Sequence, residues 1–175
     1  EIPNLLAQIQ QVNDATDAEH YIARIGEIPR AMDQVIDNVK LREARNILPP
    51  AFVVEKVIDQ VTAFIATGRE GNPISVGFAE KLKKIPAEKM DGATRNVLQD
   101  RVDEGVVKQV FPVYRKLLAY LETLRAKATR NDGVWALPDG DKYYEYAIQT
   151  HTTTTLTAEQ IHQTGLAEVA RIGAE

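Results

Sequence analysis

Three histidines, a single serine and no cysteine are the side chains from which nucleophilic or metal chemistry would have to be built in this chain. His20, His151 and His162 are too far apart in sequence for two imidazoles to share one helical turn, so there is no H-x-x-x-H pair of the kind that grips zinc. Asp17 and Glu159 each precede a histidine by three residues, the spacing by which a helix offers two ligands to a carboxylate-bridged di-iron site. Such a site needs Glu-x-x-His twice and two further inward carboxylates. Here one acid is Asp, and both stand where a helix begins, where carboxylates complement the dipole. A di-iron bundle is therefore the weakest of three functional readings, and no metal ligand is assigned. Ser75 precedes a predicted helix and reads as its cap, with no G-x-S-x-G elbow around it. Phosphate cradles of the G-x-x-x-x-G-K-S/T type are missing as well.

The region richest in ligand-capable groups runs from Asn131 to Ile172. Trp135, Tyr143, Tyr144, His151 and the run Thr152-Thr153-Thr154-Thr155 gather around two turns. Amphipathic rings and hydroxyls near a loop suit a polar pocket that holds a ligand by hydrogen bonds. The same spacing also fits plain packing, with Tyr143, Ala147 and Thr150 as the buried side of a helix and Trp135 as its lid.

Helices must position these groups, because the apolar periodicity is helical nearly throughout. Thr16 and Glu19 have the spacing of a reciprocal cap. Beyond them Tyr21, Ile22, Ile25 and Ile28 form a stripe, and Pro29 is placed to open a second helix carrying Met32, Val35, Ile36 and Val39. Pro49-Pro50 breaks the chain before a Val-rich helix. A loop over 68–73, a short helix over 76–85 and a further element that Pro86 starts or precedes are predicted next. The longest helix is expected over 93–128, kinked where Pro112 removes an amide and weakened at Gly105. After the Trp135 loop come two helices, over 142–150 and from Ala158 onward, the last with a Thr157/Gln160 capping box. The fold class is all-α, one helical domain over 1–175.

Composition sets further bounds. The chain has 175 residues, 44% hydrophobic and 26% charged, which is the profile of a packed globular fold. A net charge of −4, with acids and bases interspersed, excludes the concentrated basic face of a nucleic-acid binder. No apolar run approaches the roughly 18–20 residues of a membrane span. The first residue is Glu, and Leu166, Val169 and Ile172 still form a helical stripe close to the end. The expectation is a piece of a longer chain that self-associates through this C-terminal helix.

The stretch over 133–171 resembles the bacterial domain of unknown function 885 family. The motifs are Leu137-Pro138-x-Gly140, Tyr143-Tyr144, the Thr run and Glu159-x-Ile161-His162-x-x-Gly165-Leu166-x-Glu168-Val169. The resemblance implies a helical, zinc-metallopeptidase-like protein with a downstream H-E-x-x-P-G-H segment, whose histidines bind zinc while the glutamate activates water. It also implies relatives that are exported lipoproteins. No His-Glu dipeptide occurs in this sequence, so the catalytic residues expected here are none, and zinc belongs to the full-length parent. On that reading the chain supplies a wall of the peptide-binding cleft through Tyr143, Tyr144, His151, Thr152 and Thr153. A non-catalytic module that binds a small molecule or a protein is the alternative.

Overall fold

The computed structural model describes residues 2–175, and among them only helices, turns and one isolated backbone bridge occur. The fold is all-α. A short helical turn, α1 (Ile2–Asn4), runs into a π-helical turn at Leu5–Ile9. There follow α2 (Ala15–Glu43), α3 (Ala51–Ala66), α4 (Gly68–Gly71), α5 (Pro73–Lys83), α6 (Gly92–Gly105), α7 (Phe111–Arg125), α8 (Gly140–Thr152) and α9 (Ala158–Ala174).

The 29-residue α2 is the spine. Two helices were expected here, divided at Pro29, but the chain stays helical through it. Proline interrupts a helix at a cost of about 3 kcal/mol. Here Ile25, Ile28, Met32 and Ile36 form one buried stripe on both sides of the proline, so packing outweighs the lost amide. The start is also two residues earlier than the capping-box spacing suggests. Asp14 is the cap, accepting from the Asp17 amide at 2.9 Å, and Thr16 falls inside the helix. Glu19 is thereby free to pair with Arg101 of α6, 82 residues on (Nη2–Oε2 2.8 Å).

Against α2 pack α6, α7 and the π-helical turn Val106–Val110 that joins them. The predicted long helix is thus continuous from Gly92 to Arg125. The expected disturbance around Pro112 takes the form of a π turn, in which the Phe111 amide bonds to the Val106 carbonyl, five residues back. Val102, Val106 and Val110 on this segment are fully buried. On the other side α3 lies along α7, and Phe64 meets Tyr114 (ring centroids 4.6 Å) and Phe111 (6.3 Å, edge-on).

The third side is α5. Asn72, not Ser75, caps it: its side chain accepts from the Ile74 amide at 3.0 Å, and Pro73 occupies the first turn. Ser75 sits inside the helix, buried, with no partner for its hydroxyl among the described residues. The predicted loop before it is partly helical, since α4 forms a turn after Gly68, whose φ of 65° ends α3. Tyr21 reaches across to donate to the Ile74 carbonyl at 3.0 Å and stacks near Phe78. Burial pushes its phenol pKa well above the ordinary tyrosine value. After α5 the chain turns at Pro86 without starting a helix. Arg95 fixes this turn, donating to the carbonyls of Leu82 (3.0 Å), Ile85 (2.6 Å) and Met90 (3.0 Å).

Among the described residues, the buried apolar side chains all lie between Leu6 and Leu124. Beyond that point α8 and α9 form an arm outside the core.

Candidate functional site

The arm is joined to the bundle through one strap. The Ala51 amide donates to the Thr129 carbonyl at 2.8 Å, closing a parallel bridge between Pro50 and Thr129. A 3-10 turn at Val134–Ala136 then leads into α8, which starts at Gly140, two residues earlier than predicted. Close approach requires glycine at Gly140, where a Cβ would run into the Val134 carbonyl; at Gly133 a Cβ would make the exposed Trp135 ring turn aside. The turn folds back on itself tightly, and the Leu137-Pro138-x-Gly140 motif is the local reason.

Neither aromatic packing nor burial absorbs the predicted site residues. Trp135 is 73% exposed, Tyr143 58% and Tyr144 50%. The packing alternative, with Tyr143 inward and Trp135 as lid, does not hold, because the arm lies outside the core and leaves them in solvent. Helix geometry places Tyr144, Ile148 and His151 on one face of α8, with Tyr144 and His151 about 10 Å apart along the axis. Tyr143, Ala147 and Thr150 occupy the neighbouring face.

Thr152 and Thr153 sit at the end of this helix and their hydroxyl protons are committed locally. Thr152 Oγ1 donates to the Ile148 carbonyl (2.8 Å) and lies 3.0 Å from Thr154 Oγ1; Thr153 Oγ1 donates to the Thr152 carbonyl (2.7 Å). Thr153 has φ 55°, and its amide bonds to the Gln149 carbonyl. The left-handed region suits Gly or Asn at a helix end, and a β-branched residue there costs of order 1–3 kcal/mol. The α9 cap is as the spacing predicts. Thr157 Oγ1 accepts from the Gln160 amide (3.2 Å), and Gln160 Oε1 from the Thr157 amide (2.9 Å).

Among the described residues no three His, Asp or Glu side chains converge. The two acids that precede histidines by three are committed to local bonds. Asp17 accepts from the Asn13 backbone (2.9 Å) and side chain (3.0 Å), which hold its carboxyl below the usual range, and Glu159 accepts from Gln163 (2.7 Å).

Sequence reasoning missed the concave surfaces. One cavity of about 440 Å³ lies at the root of the arm, between Val39, Arg42 and the segment Ile47–Pro50 on one side and the strap over 129–137 on the other. A second, of about 420 Å³, is a polar cleft between the N-terminal π turn and α5, where Lys81 donates to the Ala7 carbonyl. Burial lowers the pKa of this Lys81. Both join segments some 70–95 residues apart, and no local pattern announces them.

The whole chain, residues 1–175, matches the family model described as "Bacterial protein of unknown function (DUF885)". The chain belongs to this family. The backbone is similar to the crystal structure of the putative lipoprotein from Colwellia psychrerythraea, which is 30% identical and matches with a TM-score of 0.90. That match covers 98% of this chain and 29% of the other, so the present chain spans under a third of the length of this relative. No curated protein sequence matches the chain. No helix of the described residues is long and apolar enough to cross a membrane.

Proposed function

We propose that this DUF885 chain is the helical scaffold part of a zinc-dependent, peptidase-like hydrolase and contributes one wall of its substrate cleft. The metal ligands would come from other parts of the polypeptide. The observation that carries the reading is the exposed face of α8, where aromatic and imidazole groups stand in solvent beside a strained threonine turn. Polar-tipped rings left outside a core are suited to a partner surface, and strain at a turn is most often retained where the turn serves a site.

In this role Tyr143, Tyr144 and His151 donate hydrogen bonds to substrate carbonyls, or to the oxyanion that forms from them. Thr152 and Thr153 have spent their protons on carbonyls, so their remaining lone pairs accept from peptide amides. When bound elsewhere in the protein, zinc would lower the pKa of its water; nothing in this chain takes part in that step.

The test is peptide hydrolysis by the zinc-loaded full-length protein, compared with Tyr143→Phe, Tyr144→Phe and His151→Ala. A fall in kcat/KM of about tenfold, or roughly 1.4 kcal/mol per lost bond, is expected in at least one. Unchanged turnover in all three removes the arm from the cleft, and no hydrolysis by the zinc-loaded wild type removes the hydrolase. A non-catalytic ligand-binding module is the second reading, favoured by the cavity at the arm's root.

A further inference from the structure

The cavity at the root of the arm carries both signs of charge on walls that are otherwise largely apolar. Val39, Leu48, Pro49 and Leu137 supply the apolar surface, Arg42 the cation and Asp132 the anion. The two charged groups do not neutralise one another, since they come no closer than the 4.0 Å of an ion pair. Neither side chain hydrogen-bonds to any other described residue, although charges beside Arg42 in the chain are paired: Lys40 lies 3.7 Å from Asp37, and Glu43 2.6 Å from Lys127. Arg42 and Asp132 are thus two free charges of opposite sign, 90 positions apart in sequence, brought to one concave surface by the Pro50–Thr129 bridge.

We propose that this cavity binds a small zwitterion with an apolar body, a hydrophobic amino acid or a short hydrophobic peptide. The guanidinium of Arg42 takes the carboxylate, for which its planar fork is suited. The Asp132 carboxylate takes the ammonium. The apolar walls cover the side chain, and a volume of about 440 Å³ lies in the lower part of the roughly 300–1,000 Å³ range of small-molecule sites. Arg42 and Asp132 are both exposed, so a ligand bearing one charge would pair with only one of the two walls, and free termini are favoured over blocked ones because they engage both. Because the walls belong to the bundle on one side and the strap on the other, occupancy would also hold the arm to the bundle. This inference stands without the hydrolase reading, since it concerns binding alone.

The experiment is titration of the 175-residue protein with L-leucyl-L-leucine, followed by amide chemical shifts. Parallel titrations use the N-acetylated and the C-amidated dipeptide, together with Arg42→Gln and Asp132→Asn. Saturable shifts confined to Val39–Pro50 and the strap are expected for the free dipeptide. Each blocked form and each variant should weaken binding about tenfold or more. The N-acetylated form should lose little further affinity in Asp132→Asn, because its ammonium is already gone, and this holds even if a variant perturbs the strap. No saturable shift, or equal binding by free and blocked dipeptides, overturns the proposal.

Discussion

Thr153 is held where a β-branched residue is rarely tolerated, and the hydrogen bonds of its neighbours show how the turn keeps it there. Its hydroxyl and amide both serve the end of α8. Thr153→Gly should relieve the strain and firm the last turn of that helix by about 1 kcal/mol. Slower amide exchange over Gln149–Thr153 is the measurement; faster exchange would show the turn is not strained. A second residue with a readable electrostatic role is Glu43. The Lys127 ammonium beside it, and then the Tyr120 hydroxyl at 2.6 Å, hold its carboxyl below the ordinary carboxylate value. Tyr120 is pushed the other way, to about 12, by burial first and then by that carboxylate. A carboxyl that binds its proton less readily when folded lends stability that is complete above its unfolded pKa. That contribution drains away as pH falls through the lowered value. Glu43→Gln should therefore lower stability near neutral pH and flatten its decline below about pH 4.5, as read by urea melts along a pH series.

At the scale of elements, the periodic stripes announced the helices well and their ends poorly. α3 follows Pro49-Pro50 and α9 follows its capping box, because in both cases the boundary is written in adjacent residues. Pro29 misled, since whether a proline ends a helix depends on what its two halves bury, and here both halves bury one stripe. The π turn at Val106–Val110 had only Pro112 and Gly105 as hints, which specify a disturbance but not its kind. The placement of α5 was less legible still. Its contact with the N-terminal turn depends on Gly77, where an added Cβ would come within 3.0 Å of both the Ala7 Cα and the Ala7 carbonyl oxygen. Backbone cannot give way as a side chain can. Gly77→Ala should push residues 5–9 off α5, costing about 1–3 kcal/mol and breaking the Lys81–Ala7 bond. Thermal melts and exchange over Leu5–Ile9 check this, and an unchanged melting temperature would refute it.

The molecule as a whole divides into a bundle that holds the buried core and an arm that does not. The residues suspected from sequence are all on the arm, and the apolar side chains and charges that gather at its root come from both. The former were legible because they cluster in one stretch of 20 or so residues; the cavity was not, because Arg42 and Asp132 meet only through tertiary folding. Leu166, Val169 and Ile172 lie exposed along α9, at 51%, 71% and 60%. An uncovered stripe of this kind favours association, and the 175-residue protein should show concentration-dependent dimers by light scattering. The pair Leu166→Glu with Val169→Glu should restore the monomer. A monomeric wild type at all concentrations would mean the stripe is not an association surface.

The strap has one more implication. With nothing beyond Leu124 among the buried apolar side chains, the cooperative melting unit should end near residue 128. A protease cutting within the Asn131–Pro138 stretch would then release α8 and α9 as a peptide and leave a resistant fragment of about 130 residues, whose calorimetric enthalpy is nearly that of the intact chain. The arm would behave as a detachable handle, borne by a body that folds without it.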